Sequence, residues 1–168
     1  MILRVAALIV GSRAPEFSLA GTDGRTFSLS HPGEVPALLV FFKNSCPTCN
    51  LLFPFLQRLH DRVRRTSLLL RGISQDGEAD TRNFGSQHGV TFPLLPDGTD
   101  YPVSNAYGLT SVPTLFLVET DGTISWTTVG FSKADLESLA SQLGRRFGLQ
   151  GVAPLFAATD EVPVLKPG

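Results

Sequence analysis

Residues 41–50 read Phe41-Phe42-Lys43-Asn44-Ser45-Cys46-Pro47-Thr48-Cys49-Asn50 and hold both cysteines of the chain. Just upstream, residues 37–43 (ALLVFFK) form a nearly unbroken apolar run, the pattern of a strand covered on both faces. From Pro47 the period changes. Leu52, Phe55, Leu56, Leu59 and Val63 recur at helical spacing, while Gln57, Arg58, Asp61, Arg62 and Arg65 fall mostly on the other side. A central strand, a turn through Lys43-Asn44-Ser45 and an amphipathic helix opening at the cysteine pair are therefore predicted.

Downstream, residues 67–74 (SLLLRGIS) read as a second buried strand, followed by the turn Gln75-Asp76-Gly77 and a weaker helix over 78–88 stopped by Gly89. A short strand at 92–95 and a helical turn at 103–107 precede a strand at 114–119 (TLFLVE). The turn Thr120-Asp121-Gly122 joins that strand to an antiparallel partner at 123–129. Ser132 is an N-cap for a last helix with Leu136, Leu139, Ala140, Leu143 and Phe147 on one face and Gly148 as its stop. Toward the N-terminus, residues 16–19 and 25–29 flank Gly21-Thr22-Asp23-Gly24 as a β-hairpin lid at the sheet edge. The sum is an α/β domain over residues 1–148, a central mixed sheet with helices on both faces and an N-terminal β-hairpin extension. Residues 149–168, with Pro154, Pro163 and Pro167, form an extended tail.

With 168 residues, the chain is long enough for an adequate core without disulfide support. A net charge of -1 with 17% charged residues lacks the basic footprint of a nucleic-acid binder. The start, MILRVAALIVG, has one basic residue and a short apolar run at 5–10, which reads as an edge segment rather than a signal peptide. No stretch approaches the roughly 20 apolar residues of a membrane span. As written, the chain is expected to be a cytoplasmic monomer. An export signal at a different start would make it extracytoplasmic.

Chemistry concentrates in the cysteine pair. Cys46 ends a strand and Pro47 begins a helix, so Cys46 falls near the N-cap, where free backbone N–H groups and the helix dipole favour an anion. The thiolate is the attacking species in disulfide exchange. Cys49, one turn in, is within plausible disulfide reach of Cys46. Lys43, three residues before Cys46, could add positive potential, or could simply be an exposed strand-end lysine. A zinc site usually needs four ligands, and His31, His60 and His88 form no HxxxH beside a second CxxC. A structural disulfide across so small a loop stabilises little. Inert core thiols are the remaining alternative. A reversible dithiol fits the strand-to-helix junction best, and it calls for no cofactor and no metal.

These residues resemble the thioredoxin superfamily, more narrowly the redoxin branch with its TlpA/ResA-like thiol-disulfide oxidoreductases and AhpC/TSA-type peroxiredoxins. The resemblance spans residues 11–147. It rests on Gly11-Ser12-Arg13-Ala14-Pro15-Glu16-Phe17, similar to a GxxAPxF redoxin opening; on Cys46-Pro47-Thr48-Cys49; on Pro54, where thioredoxins kink the active-site helix; and on Ser111-Val112-Pro113-Thr114, similar to the cis-proline loop. It implies a redox-active CxxC serving cell redox homeostasis or antioxidant activity, with Cys46 attacking, Cys49 resolving, and Val112 and Pro113 pairing with an extended substrate peptide. Disulfides or thiols of proteins or small molecules and an upstream electron donor are the implied partners, with no nucleic acid among them.

Departures from the family are also visible. Ser45 replaces the usual tryptophan before the first cysteine. The acidic positions of thioredoxins and of ResA-like proteins fall near Val40 and at Leu52, both apolar, so no carboxylate stands where one is expected to serve Cys49. A peroxiredoxin PxxxTxxC would need proline and threonine where Leu39 and Lys43 stand, which weakens a thiol peroxidase reading. A thioredoxin-fold Cu(I) carrier is the other alternative, since soft thiolates suit Cu(I), but such carriers typically space their cysteines one residue wider.

Overall fold

Strand β3 (Ala37–Phe42) is buried at every residue, and its twofold alternation divides the interior in two. Leu38, Val40 and Phe42 face one cluster, while Ala37, Leu39 and Phe41 face the other. This follows from the pleat, which sends successive side chains to opposite faces. The computed structural model describes residues 7–149 and 153–168.

Around β3 the sheet adds β4 (Leu69–Ser74) and β5 (Leu94–Pro96) on one side, and β6 (Thr114–Val118) and β7 (Ile124–Val129) on the other, in the order β5-β4-β3-β6-β7. The β3–β4 and β4–β5 pairs are parallel, and the β3–β6 and β6–β7 pairs antiparallel. Parallel neighbours need long crossovers. Helix α1 (Pro47–Val63) supplies the first, and α2 (Glu78–Gln87) lies within the second. The antiparallel β6–β7 pair is closed by a short turn at Asp121-Gly122, as predicted.

The first cluster is covered by Leu52, Phe53, Leu56 and Leu59 of α1, Phe84 of α2, and Leu136, Leu139 and Leu143 of α4 (Lys133–Arg146). Ser132 caps α4 as expected, its Oγ accepting the Asp135 N–H at 3.2 Å. The second face carries Val103 of the short α3 (Pro102–Ala106), the neighbouring Tyr107, and the hairpin β1 (Phe17–Ala20) and β2 (Thr26–Leu29). This refines the predicted position of the hairpin. β1 and β2 form a separate two-stranded sheet that meets the edge strand through the Thr22 N–H, which donates to the Leu94 carbonyl at 2.9 Å, and Phe17, Leu19, Phe27 and Leu29 pack over the face. The apolar positions of the hairpin need a hydrophobic surface, and the face opposite α1 offers one.

The predicted N-terminal edge segment lies partly outside the described residues. Within them, the Leu8 N–H donates to the Tyr107 carbonyl, and the Gly11 N–H to that of Ile124. The predicted strand at 92–95 is shifted to β5, with the Pro93 carbonyl just before it accepting the Gly72 N–H at 3.1 Å.

Residues 153–168 fold back over the domain. Leu155 and Phe156 are buried in the first cluster, with the Phe156 ring 4.5 Å from that of Phe55. Arg58 forms a two-pronged pair with Asp160 at 2.6 and 3.0 Å. Farther on, β9 (Leu165–Lys166) pairs antiparallel with β8 (Phe131–Ser132). The apolar residues of this tail show no period because only Leu155 and Phe156 are buried, in a surface built by other elements, while Val164 and Leu165 stay exposed.

Candidate active site

The turn after β3 is pinned from several directions. The Cys46 N–H donates to the Lys43 carbonyl at 3.2 Å, and the Asn44 N–H to Asp76 Oδ2 at 2.6 Å. Asp76 follows β4, so the adjacent parallel strand ends anchor the loop. Asn50 Nδ2 donates to the carbonyls of Asn44 at 2.9 Å and Cys46 at 2.8 Å. Its Oδ1 lies 2.8 Å from His88 Nε2, and since Oδ1 is an acceptor, that nitrogen carries the proton. The turn is thus clamped before α1 begins.

Cys46 is the N-cap of α1, with extended backbone (φ −84°, ψ 114°), and Pro47 is the first helical residue. Proline suits that place because the first helical N–H has no partner within the helix. The sulfur takes the usual role of a capping oxygen, accepting the Cys49 N–H at 3.2 Å. The first turn of α1 thus presents a backbone donor to this sulfur. On its other side, the thiol donates to the Val112 carbonyl at 3.4 Å.

The two sulfurs occupy different environments. Cys46 is half-buried, whereas Cys49 is fully buried among the apolar residues of the first cluster. Burial, foremost, pushes the Cys49 thiol far above the ordinary cysteine range. Its hydrogen bond with Cys46 and the negative charges of Cys46 and Asp76 act in the same direction, while the Lys43 backbone opposes them.

Val112 and Pro113 are joined by a cis peptide bond, the geometry implied by the resemblance. The Pro113 carbonyl accepts the Gly130 N–H at 2.7 Å, and Thr114 Oγ1 donates to the Ser111 carbonyl at 2.8 Å, fixing the loop against β7. The fold therefore brings together Cys46, Pro47, Cys49, Val112 and Pro113, separated by more than sixty residues in sequence. Lys43 takes part through its backbone. Pro54 sits inside α1 with its ring exposed, and the helix runs on past it.

Val40 and Leu52, at the positions where carboxylates would be expected from the resemblance, are both fully buried in the first cluster. The carboxylate whose charge reaches Cys49 is instead Asp76, from the turn after β4. Spacing could not reveal it, because the contact depends on the parallel register that sets Phe42 beside Ser74. Asn50 was within reach of sequence reading as a polar residue one turn after Cys46; His88 was not. Thr48, between the cysteines, is buried and donates its hydroxyl to the Pro167 carbonyl at 2.5 Å, a partner no local pattern indicates. Among the described residues, no group of three or more His, Cys, Asp or Glu side chains is arranged to hold a metal ion. No helix of the described residues is long and apolar enough to cross a membrane.

Comparison with known proteins agrees with this geometry. The AhpC/TSA family model matches residues 10–127. The thiol-disulfide oxidoreductase ResA of Geobacillus thermodenitrificans is 28% identical over 133 residues, covering 78% of this chain and 76% of the relative. ResA of Bacillus subtilis is 28% identical over 121 residues, covering 71% and 67%. Among solved structures, a candidate DsbE thiol:disulfide interchange protein from Chlorobium tepidum superposes with a TM-score of 0.74 at 26% identity, covering 84% of this chain and 100% of that one. The thioredoxin domain of a Bacteroides vulgatus thiol-disulfide oxidoreductase shares the fold, with a TM-score of 0.72 at 21% identity over 82% and 99% of the two chains.

Proposed function

The chain belongs to the AhpC/TSA family and is a homologue of thiol-disulfide oxidoreductases, and we propose that Cys46 and Cys49 are its redox couple, acting through a mixed disulfide. The Cys46 thiolate attacks one sulfur of a substrate disulfide, and the other sulfur leaves as a thiolate and takes up a proton. Cys49 then loses its proton and attacks the Cys46 sulfur, releasing the second substrate thiol. The net change is a two-electron reduction of the substrate disulfide and oxidation of the pair to Cys46–Cys49. The reverse sequence oxidises a dithiol.

The observation that carries this reading is the position of Cys46 Sγ, half-buried at a helix N-cap, with the Cys49 N–H on one side and the Val112 carbonyl on the other. A disulfide-bearing peptide extended along the Val112-Pro113 backbone would present its sulfur to Cys46 by strand addition. Leu39, where a peroxidase would need its proline, is a fully buried core residue, and Lys43 holds the threonine position. Both favour disulfide exchange over peroxide reduction.

The test compares wild type with Cys46→Ser and Cys49→Ser for reduction of a peptide disulfide, peroxide turnover and Cu(I) binding in parallel. Cys46→Ser should abolish exchange. Cys49→Ser should accumulate the mixed disulfide without turning over. Rapid peroxide consumption that survives loss of Cys49 would replace the reductase assignment with a peroxidase, and tight stoichiometric Cu(I) binding with negligible exchange would favour a carrier.

A further inference from the structure

The tail reaches the same carbonyl that receives the Cys46 thiol. From the β8–β9 pairing, where the Lys133 N–H donates to the Val164 carbonyl at 3.0 Å, the chain runs past α1 to Val112. The Pro167 carbonyl accepts the Thr48 hydroxyl at 2.5 Å. The Gly168 backbone lies so close that a Cβ there would overlap the Val112 carbonyl and stand 3.3 Å from the Pro113 nitrogen. Beneath this strand is Gly130, at φ +75°, where a Cβ would lie 2.7 Å from the Lys166 carbonyl. That close approach of two backbones is possible because Gly130 has no side chain.

The tail is held unevenly. Its near part is anchored by the buried Leu155 and Phe156 and by the Arg58–Asp160 pair. Its far part is held mainly through backbone groups, with Val164 70% and Leu165 67% exposed. A segment with little buried apolar surface opens locally at small cost. Its tether keeps it close enough to return, because a linked segment acts at high effective concentration.

We propose that residues 164–168 are a detachable strap seated in the peptide groove of the dithiol, and that a protein disulfide must displace it to reach Cys46. The strap uses the backbone recognition of an extended peptide: a carbonyl received by Thr48 and a side-chain-free residue against Val112. A small disulfide has less of it to move. The inference rests on the dithiol reading above for its substrate, but the seating of the strap can be tested without any redox step.

In the reduced protein, Gly168→Val should lift the strap away from Val112. A strap seated about nine-tenths of the time lowers access about tenfold, so alkylation of Cys46 by a polymer-linked maleimide should accelerate by about that factor, and by less for iodoacetamide. An unchanged maleimide rate overturns the proposal. Independently, Cys49→Ser trapped as a mixed disulfide with a cysteine peptide should lose hydrogen-exchange protection at the Lys133 amide. Full protection with peptide bound at Cys46 would show that strap and substrate do not compete. Failure of any mixed disulfide to form would count against the dithiol reading, and the alkylation comparison would still decide the strap.

Discussion

The backbone N–H of Cys49 points at the sulfur of Cys46, 3.2 Å away. The residue proposed to resolve the mixed disulfide thus also helps to set the nucleophile, through its backbone, while its own side chain is sealed in the core. The two thiols are made unequal by position alone. Cys46 faces the Val112 loop, and Cys49 faces Leu52, Phe53 and the sheet.

That inequality gives the resolving step a pH dependence. Burial raises the Cys49 pKa, so the thiol form dominates at neutral pH and the reactive thiolate is a minor species. Its fraction grows tenfold per pH unit below the pKa, and resolution of a preformed mixed disulfide should accelerate accordingly between about pH 6 and 9. Rapid-mixing measurement of product release across that range checks it. A flat profile would mean that the Cys49 proton leaves by a route insensitive to bulk pH.

Asp76→Asn removes the carboxylate whose negative charge opposes ionisation of Cys49. The asparagine Oδ1 can still accept the Asn44 N–H, so the turn should be retained. The Cys49 pKa should fall and resolution at pH 7 should quicken, the gain being modest because burial acts on this thiol more strongly than the Asp76 charge does. Slower resolution would instead identify Asp76 as the proton acceptor.

Asn50→Leu should destabilise the domain and loosen the active-site turn. It removes both donors to the carbonyls of Asn44 and Cys46 and the acceptor of His88. The Cys46 carbonyl keeps the Asn50 backbone N–H at 3.1 Å, but the Asn44 carbonyl and His88 lose their partner, and partly buried groups left unpaired cost about 1–3 kcal/mol. Chemical denaturation should show a loss of that order, together with slower attack by Cys46, because the N-cap geometry would no longer be held.

Phe156→Ala tests the anchor of the tail. The ring packs against Phe55 at 4.5 Å and Phe131 at 5.8 Å, and the residue is 5% exposed. Truncating a buried phenylalanine costs about 3–5 kcal/mol when it is part of the global core. A loss of that size by denaturation would make the tail part of the folding unit, whereas a loss below about 1 kcal/mol would mark it as an appendage.

Much of the architecture was legible because it depends on local period. The unbroken apolar run before Cys46, the change to helical spacing after Pro47, and the turn residues Asp121 and Gly122 each report a nearby geometric requirement. The hairpin was recognisable as a hairpin, but its place over Leu39 and Phe41 was not, since alternation in a strand tells which side is apolar and not which surface will meet it. Val112 and Pro113 were connected to the cysteines by family resemblance; nothing in their own neighbourhood gives a distance to Cys46.

The sequence by itself determined the strand-to-helix junction, the one-turn spacing of the two thiols and the apolar faces that bury one of them, because all three follow from backbone periodicity within a few residues. Only the tertiary structure decided what surrounds the pair. Asp76 reaches it through parallel strand register, His88 through the packing of α2, and Pro167 and Gly168 by the return of a tail more than a hundred residues away. Such contacts are made between surfaces that do not exist until the sheet and its helices have assembled, and no local spacing encodes them.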